Sequence, residues 1–159
     1  MKKFLPVACC LLLSMLCASV SVQAQGGAVK SGPDPTTIRD PELERDSVKN
    51  LEAAKLYFNM RHAYVASLAR CEEIIAGNPN FSRIDEALWF AGMSNLYLSQ
   101  GKGKQAPDPK ISAEQYREEA RRYLSQLVKD YPDSKFHKKA EEELSKLGDE
   151  KQKAEGSKQ

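Results

Sequence analysis

The sequence predicts an all-α domain, a helical repeat of two helix pairs closed by a C-terminal capping helix. A phrase recurs in it, an amphipathic segment of about four turns that ends at a proline. The copies are Tyr64 to Pro79 (YVASLARCEEIIAGNP) and Tyr116 to Pro132 (YREEARRYLSQLVKDYP), and each follows another helix-forming segment with its own apolar stripe. Such units cannot bury an apolar face alone, so they stack, and the stack offers a surface on which other molecules can be held.

The N-terminus sets the compartment. Lys2 and Lys3 lead into an uncharged apolar stretch, Phe4 to Val22, closing in Val22-Gln23-Ala24, which is the layout of a secretory signal peptide over residues 1–24. Short side chains at Val22 and Ala24 suit a signal peptidase and place the cut after Ala24, leaving Gln25 as the mature N-terminus. An uncleaved membrane anchor is the alternative. A span needs about 20 apolar residues, and Pro6, Ser14, Ser19 and Ser21 interrupt this one. Three of the four cysteines, Cys9, Cys10 and Cys17, lie inside the segment. A lipobox keeps the positions before its cysteine small, whereas Met15 and Leu16 precede Cys17, so lipidation is not expected. Cleavage leaves Cys71 without a disulfide partner, and the fold must hold by packing. Without Lys2 and Lys3 the 24 basic residues match the 22 acidic ones, because residues 1–24 carry no acid. A neutral mature chain argues against nucleic acid or an anionic membrane surface as partner.

Residues 25–40 (QGGAVKSGPDPTTIRD) are rich in Gly, Pro and Ser and read as a disordered leader. Residues 148–159 are polar and charged and read as a disordered tail. The helical domain lies between, at residues 41–147, long enough for one small core.

Each helix has an identifiable start. Asp40-Pro41-Glu42 supplies an N-cap, a first-turn proline and an acid at the positive end of the dipole, and opens a helix to Met60 striped by Leu51, Ala54 and Phe58. A second helix, Tyr64 to Ala76, presents Tyr64, Leu68, Cys71, Ile74 and Ile75 and stops at Gly77-Asn78-Pro79. Ser82 followed by Asp85 has the form of a capping box for a third helix, Arg83 to Gln100, apolar on most faces and therefore expected in the middle of the stack. Ser112-Ala113-Glu114-Gln115 caps the fourth, with Tyr116, Ala120, Tyr123, Leu124, Leu127 and Val128 on its stripe. A fifth, Lys135 to Leu147, places Phe136, Ala140, Leu144 and Leu147 on one face, as a terminal cap requires.

These residues resemble a tetratricopeptide repeat, a helix-turn-helix unit of about 34 residues. Counting back from Pro79, Leu51 takes the large position, Ala54 the next, Phe58 the aromatic one, and Tyr64 precedes the small Ser67 and Leu68. Counting back from Pro132, Ala120 is small and Leu124 and Leu127 follow. With Gly101 as turn glycine, Phe90, Met93, Ser94 and Tyr97 fill the first half of that copy. Lys55 stands where a small residue is usual, His62 replaces a turn glycine, and residues 101–111 intervene in the second pair. The phrase from Asp130 to Phe136, followed by Ala140 and Leu144, is similar to repeats of the BamD outer-membrane assembly lipoprotein family and of the periplasmic domain of CpoB. The resemblance covers about residues 48–147. It implies a periplasmic scaffold that binds other envelope proteins without catalysis. The BamD lipid-anchoring cysteine has no good counterpart, so the kind of role carries over rather than the role itself.

No catalytic constellation is legible, and no metal or cofactor is expected. His62 falls at a turn and His137 stands among lysines. Glu72-Glu73 and Glu141-Glu142-Glu143 are neighbours that diverge around a helix. Cys71 lies on an apolar stripe. Gly101-Lys102-Gly103-Lys104 lacks the strand that a phosphate loop follows. The expected partners are envelope proteins or peptides, with membrane contact only through them or an uncleaved signal. The expected binding face is the one lined by the first helix of each pair, carrying Lys55, Asn59, Asn95 and Tyr97, with Lys102 on the long loop. That these are ordinary solvent-facing positions stays open, as does self-association of a short stack.

Overall fold

The computed structural model describes residues 39–156, with side chains described as far as Asp149. The signal segment, Ala24, Gln25 and most of the leader lie outside the described residues. Among the described residues five α-helices follow one another: α1 (Pro41–Leu56), α2 (Tyr64–Gly77), α3 (Ile84–Ser99), α4 (Ala113–Asp130) and α5 (His137–Gly156). Each helix packs chiefly on its neighbours in the chain, and α1 also touches α3. That nearest-neighbour pattern is the tetratricopeptide-like repeat. Among the described residues no helix is long and apolar enough to cross a membrane.

The helix starts follow local chemistry at two places and depart from it at a third. Asp40 accepts from the Glu42 and Leu43 amides at 2.8 and 3.3 Å with Pro41 in the first turn, so α1 begins as expected. At α4 the capping box is complete: Gln115 N–H donates to Ser112 Oγ at 3.1 Å and Ser112 N–H to Gln115 Oε1 at 2.7 Å. The box expected at Ser82 and Asp85 does not form. Arg83 is the N-cap and makes no side-chain cap, and the Ser82 amide donates instead to the Glu44 carboxylate of α1 at 3.2 Å. A tertiary acceptor satisfies the amide, while Asp85 accepts from the Ser134 hydroxyl at 2.6 Å.

Two helix ends also differ from expectation. The first helix is regular only to Leu56. Residues Tyr57–Arg61 form a π-helical turn, and His62 reverses the chain in the left-handed region (φ 51°), the conformation a turn glycine would supply. At the other end α5 continues past Leu147 to Gly156, across much of the segment expected to be a disordered tail. Asp, Glu, Lys, Gln and Ala dominate that stretch, and most are residues a helix accommodates readily.

Core formation depends on small residues where helices cross. Ala54 and Ser67 are fully buried at the α1–α2 crossing, and Ser67 Oγ donates to the Ala54 carbonyl at 3.0 Å. At the α3–α4 crossing a Cβ on Gly92 would lie 2.8 Å from Leu124 Cγ, so glycine permits the approach. Around these points pack Leu51, Cys71, Ile74, Phe81, Leu88, Ala120, Leu127, Ala140 and Leu147. As expected for the middle of the stack, α3 is buried on nearly every face.

Candidate protein-interaction surface

The first helices of the pairs, α1 and α3, meet the segment entering α5 through a charged knot. The Glu86 side chain, 8% exposed, lies 3.0 Å from Arg83 Nε, 3.0 Å from Lys135 Nζ and 3.7 Å from Lys55 Nζ. Glu52 closes the ring, 3.3 Å from Lys55 Nζ and 3.2 Å from Arg83. Burial works against the Glu86 charge, but hydrogen bonds from Arg83 and Lys135 outweigh it and hold the carboxyl below its ordinary range. Beside the knot Trp89 stacks on Phe136 with centroids 5.4 Å apart, and Lys135 Nζ sits 5.0 Å from the Phe136 centroid. Sequence reasoning missed Glu86. The signal was available: an acid on a helix otherwise apolar on most faces must find cations when the helix is buried.

The residues expected on the binding face separate. Lys55 belongs to the knot, and Asn59 is exposed on the π-helical turn. Asn95 is a correction: it is 2% exposed and its amide donates to the Ala91 carbonyl at 3.0 Å, because α3 lies between α2 and α4 and its outward positions are covered. Tyr97 is half-buried, its ring 5.5 Å from Phe58 and 4.9 Å from Tyr64. Lys102 stands over that ring, Nζ 5.1 Å from the centroid.

The long connection between α3 and α4 is fastened to the rest of the fold. Its Lys104 amide donates to the His62 carbonyl at 2.9 Å. Gln105 Oε1 accepts from the Ala66 amide at 3.1 Å, supplying α2 with the N-terminal acceptor that its own sequence lacks. Gly101 and Gly103 take positive φ (64° and 106°), and a Cβ on Gly103 would lie 2.7 Å from the Tyr64 ring. Around this end Met60 is 73% exposed, and Leu56, Val65 and Ile111 are also exposed. A shallow open groove of about 670 Å³ runs beside it along the start of α4, lined by Ile111, Ser112, Glu114, Gln115, Glu118 and Glu119.

Each histidine sits against a neighbouring side chain. His62 Nδ1 lies 3.3 Å from the Tyr64 hydroxyl and His137 Nδ1 lies 3.6 Å from Glu141. Burial, then the neighbouring Glu72, pushes the Cys71 thiol up to about 12, so it stays protonated. Among the described residues no three His, Cys, Asp or Glu side chains converge as a metal site. A family model described as YfiO, outer membrane lipoprotein, matches residues 29–155. Neither the curated proteins nor the solved structures include a match.

Proposed function

The chain belongs to the YfiO family of outer membrane lipoproteins, and from that premise we propose that it is an exported, non-catalytic scaffold for assembling or organising cell-envelope proteins. The observation that carries this reading is the extent of the match, which takes in nearly the whole described helical stack. Three features support it. The fold is a tetratricopeptide-like repeat. Its first-helix face mixes charged and aromatic groups, as protein-binding surfaces do. The N-terminal segment has the layout of an export signal.

On this reading the mature protein begins at Gln25, works in the periplasm and reaches the outer membrane through its partners. Partner contact runs over Lys55 on α1, Asn59 on the π-helical turn and Lys102 on the fastened loop. Tyr97 supports that loop from beneath, and Asn95 has no part in contact. The likeness to CpoB adds a finer version, in which the partners belong to the division machinery. The test is in-cell photo-crosslinking at Lys55, Asn59 and Lys102, followed by mass spectrometry of bait and prey. Capture of specific outer-membrane or division proteins by a bait starting at Gln25 is the expected result. Capture of the chain by itself alone favours a self-associating structural protein. A bait retaining residues 1–24, or one beginning at a lipid-modified Cys17, replaces the soluble form with a membrane-held one.

A further inference from the structure

We propose that the end of the stack formed by the α1–α2 turn and the 101–112 loop docks an acidic peptide segment carrying a large apolar side chain. The inference names the partner chemistry of the scaffold role above and rests on it. The argument begins with unmatched charge. Among the described residues no carboxylate lies within ion-pair distance of Arg61, Lys102, Lys104 or Lys110; Lys129, Lys138 and Lys139 also lack one, but only at this end do four such cations share one loop and the turn it is bonded to, whereas Arg45, Lys49, Lys55, Arg83, Arg117, Arg121 and Arg122 are paired. Asp108 is the one acid in the loop, and its carboxylate is occupied by the Lys110 amide at 2.9 Å.

These cations are displayed from a fixed backbone. The Lys104 amide bonds to the His62 carbonyl, next to Arg61, at 2.9 Å. Gln105 is tied to α2 and Lys102 rests on Tyr97, so the loop and the turn move as one surface. Preorganisation of that kind lowers the entropy lost when a partner is held. Next to Arg61 in the chain, Met60 lies on the π-helical turn at 73% exposure. A methionine adapts to apolar side chains of varied shape, and an irregular helical turn is a frequent place for function. Cations on the same turn and bonded loop as one adaptable apolar side chain complement an acidic segment with an aromatic or aliphatic anchor. A bilayer would call for a broader apolar face, and nucleic acid for a larger basic excess than a nearly balanced chain offers.

The test uses the purified full chain and a short fluorescent synthetic peptide in which Glu and Asp surround a Phe-Leu pair, read by anisotropy. Saturable binding that weakens as salt rises is expected. The double variant Arg61→Glu, Lys104→Glu should weaken it by at least about tenfold, Met60→Ser should weaken it without removing the salt dependence, and Lys138→Glu with Lys139→Glu should leave it unchanged. Circular-dichroism melting of each variant separates lost binding from lost folding, and Lys102→Glu replaces any variant that unfolds. The proposal is overturned if the peptide does not bind, if its Gln and Asn counterpart binds equally, if the distant lysine pair matters as much, or if phosphatidylglycerol vesicles bind where the peptide does not. Envelope partners crosslinked through Lys55 alongside an unbound peptide would sink this inference and leave the scaffold reading standing. Failure of both would sink the two together.

Discussion

Two charged regions of this molecule, the Glu86 knot and the α1–α2 end, use similar residues to opposite effect. In the knot Glu86 and Glu52 face Lys55, Arg83 and Lys135, so three stretches of chain are tied by ion pairs around a buried carboxylate. At the other end Arg61, Lys102, Lys104 and Lys110 have no acidic partner among the described residues, although the backbone of the loop is bonded to the turn and to α2. The difference separates charge that contributes to the fold from charge left available to a partner. Burial and pairing distinguish them, and residue type alone does not.

The comparison can be broken or sharpened by substitution. The largest loss belongs to the packed middle: Leu124→Ala, at a fully buried site against Gly92, should cost about 2 to 5 kcal/mol in chemical denaturation. Next comes Glu86→Ala, expected to cost about 1 to 3 kcal/mol because it leaves Lys135 without an acceptor and Arg83 and Lys55 with Glu52 alone. Acid should reproduce part of that loss. The folded Glu86 carboxyl lies below its ordinary range, so the unfolded chain takes up this proton first as pH falls. Its contribution is therefore complete above the ordinary carboxylate range and is lost as pH drops through the depressed value. Denaturation at about pH 6 and about pH 3 should show a smaller decline for Glu86→Gln than for the parent chain.

Smaller effects are expected at the open end. Gln105→Ala removes the acceptor for the Ala66 amide and should cost about 0.5 to 1 kcal/mol, measurable as a lower melting temperature. Arg61→Ala with Lys104→Ala should change stability by no more than about 0.5 kcal/mol. A loss comparable to that of Glu86→Ala would erase the distinction between the two regions.

Most of the fold was legible in the sequence because its signals are local. Helical periodicity, Asp40 before Pro41, Ser112 before Gln115 and the prolines at 79 and 132 act within a few residues of the helix they shape. What escaped the sequence depends on distant partners. Ser82 reads as a cap until Glu44 is seen to take its amide. Asn95 reads as a surface residue until helices on both sides cover α3. The 101–111 insertion reads equally as a binding loop or a tolerated insertion, and its service to α2 through Gln105 shows only in the fold, while the π-helical turn leaves no pattern in residues that suit an ordinary helix equally well. Of the candidate site residues read from the sequence, Lys55 lies in the knot and Lys102 at the open end, and the contrast between their surroundings required the positions of the acids.

The packing of each helix on its chain neighbours also has a kinetic side. Contacts between successive helices close short loops, so little chain entropy is spent before they form, and such topologies fold quickly. The tight α3–α4 crossing can form as a nucleus without waiting for either terminus, with α1–α2 and α5 adding to its two sides. Unfolding should then begin at the outer helices, and amide hydrogen exchange would slow progressively from α1 and α5 toward Gly92 and Leu124.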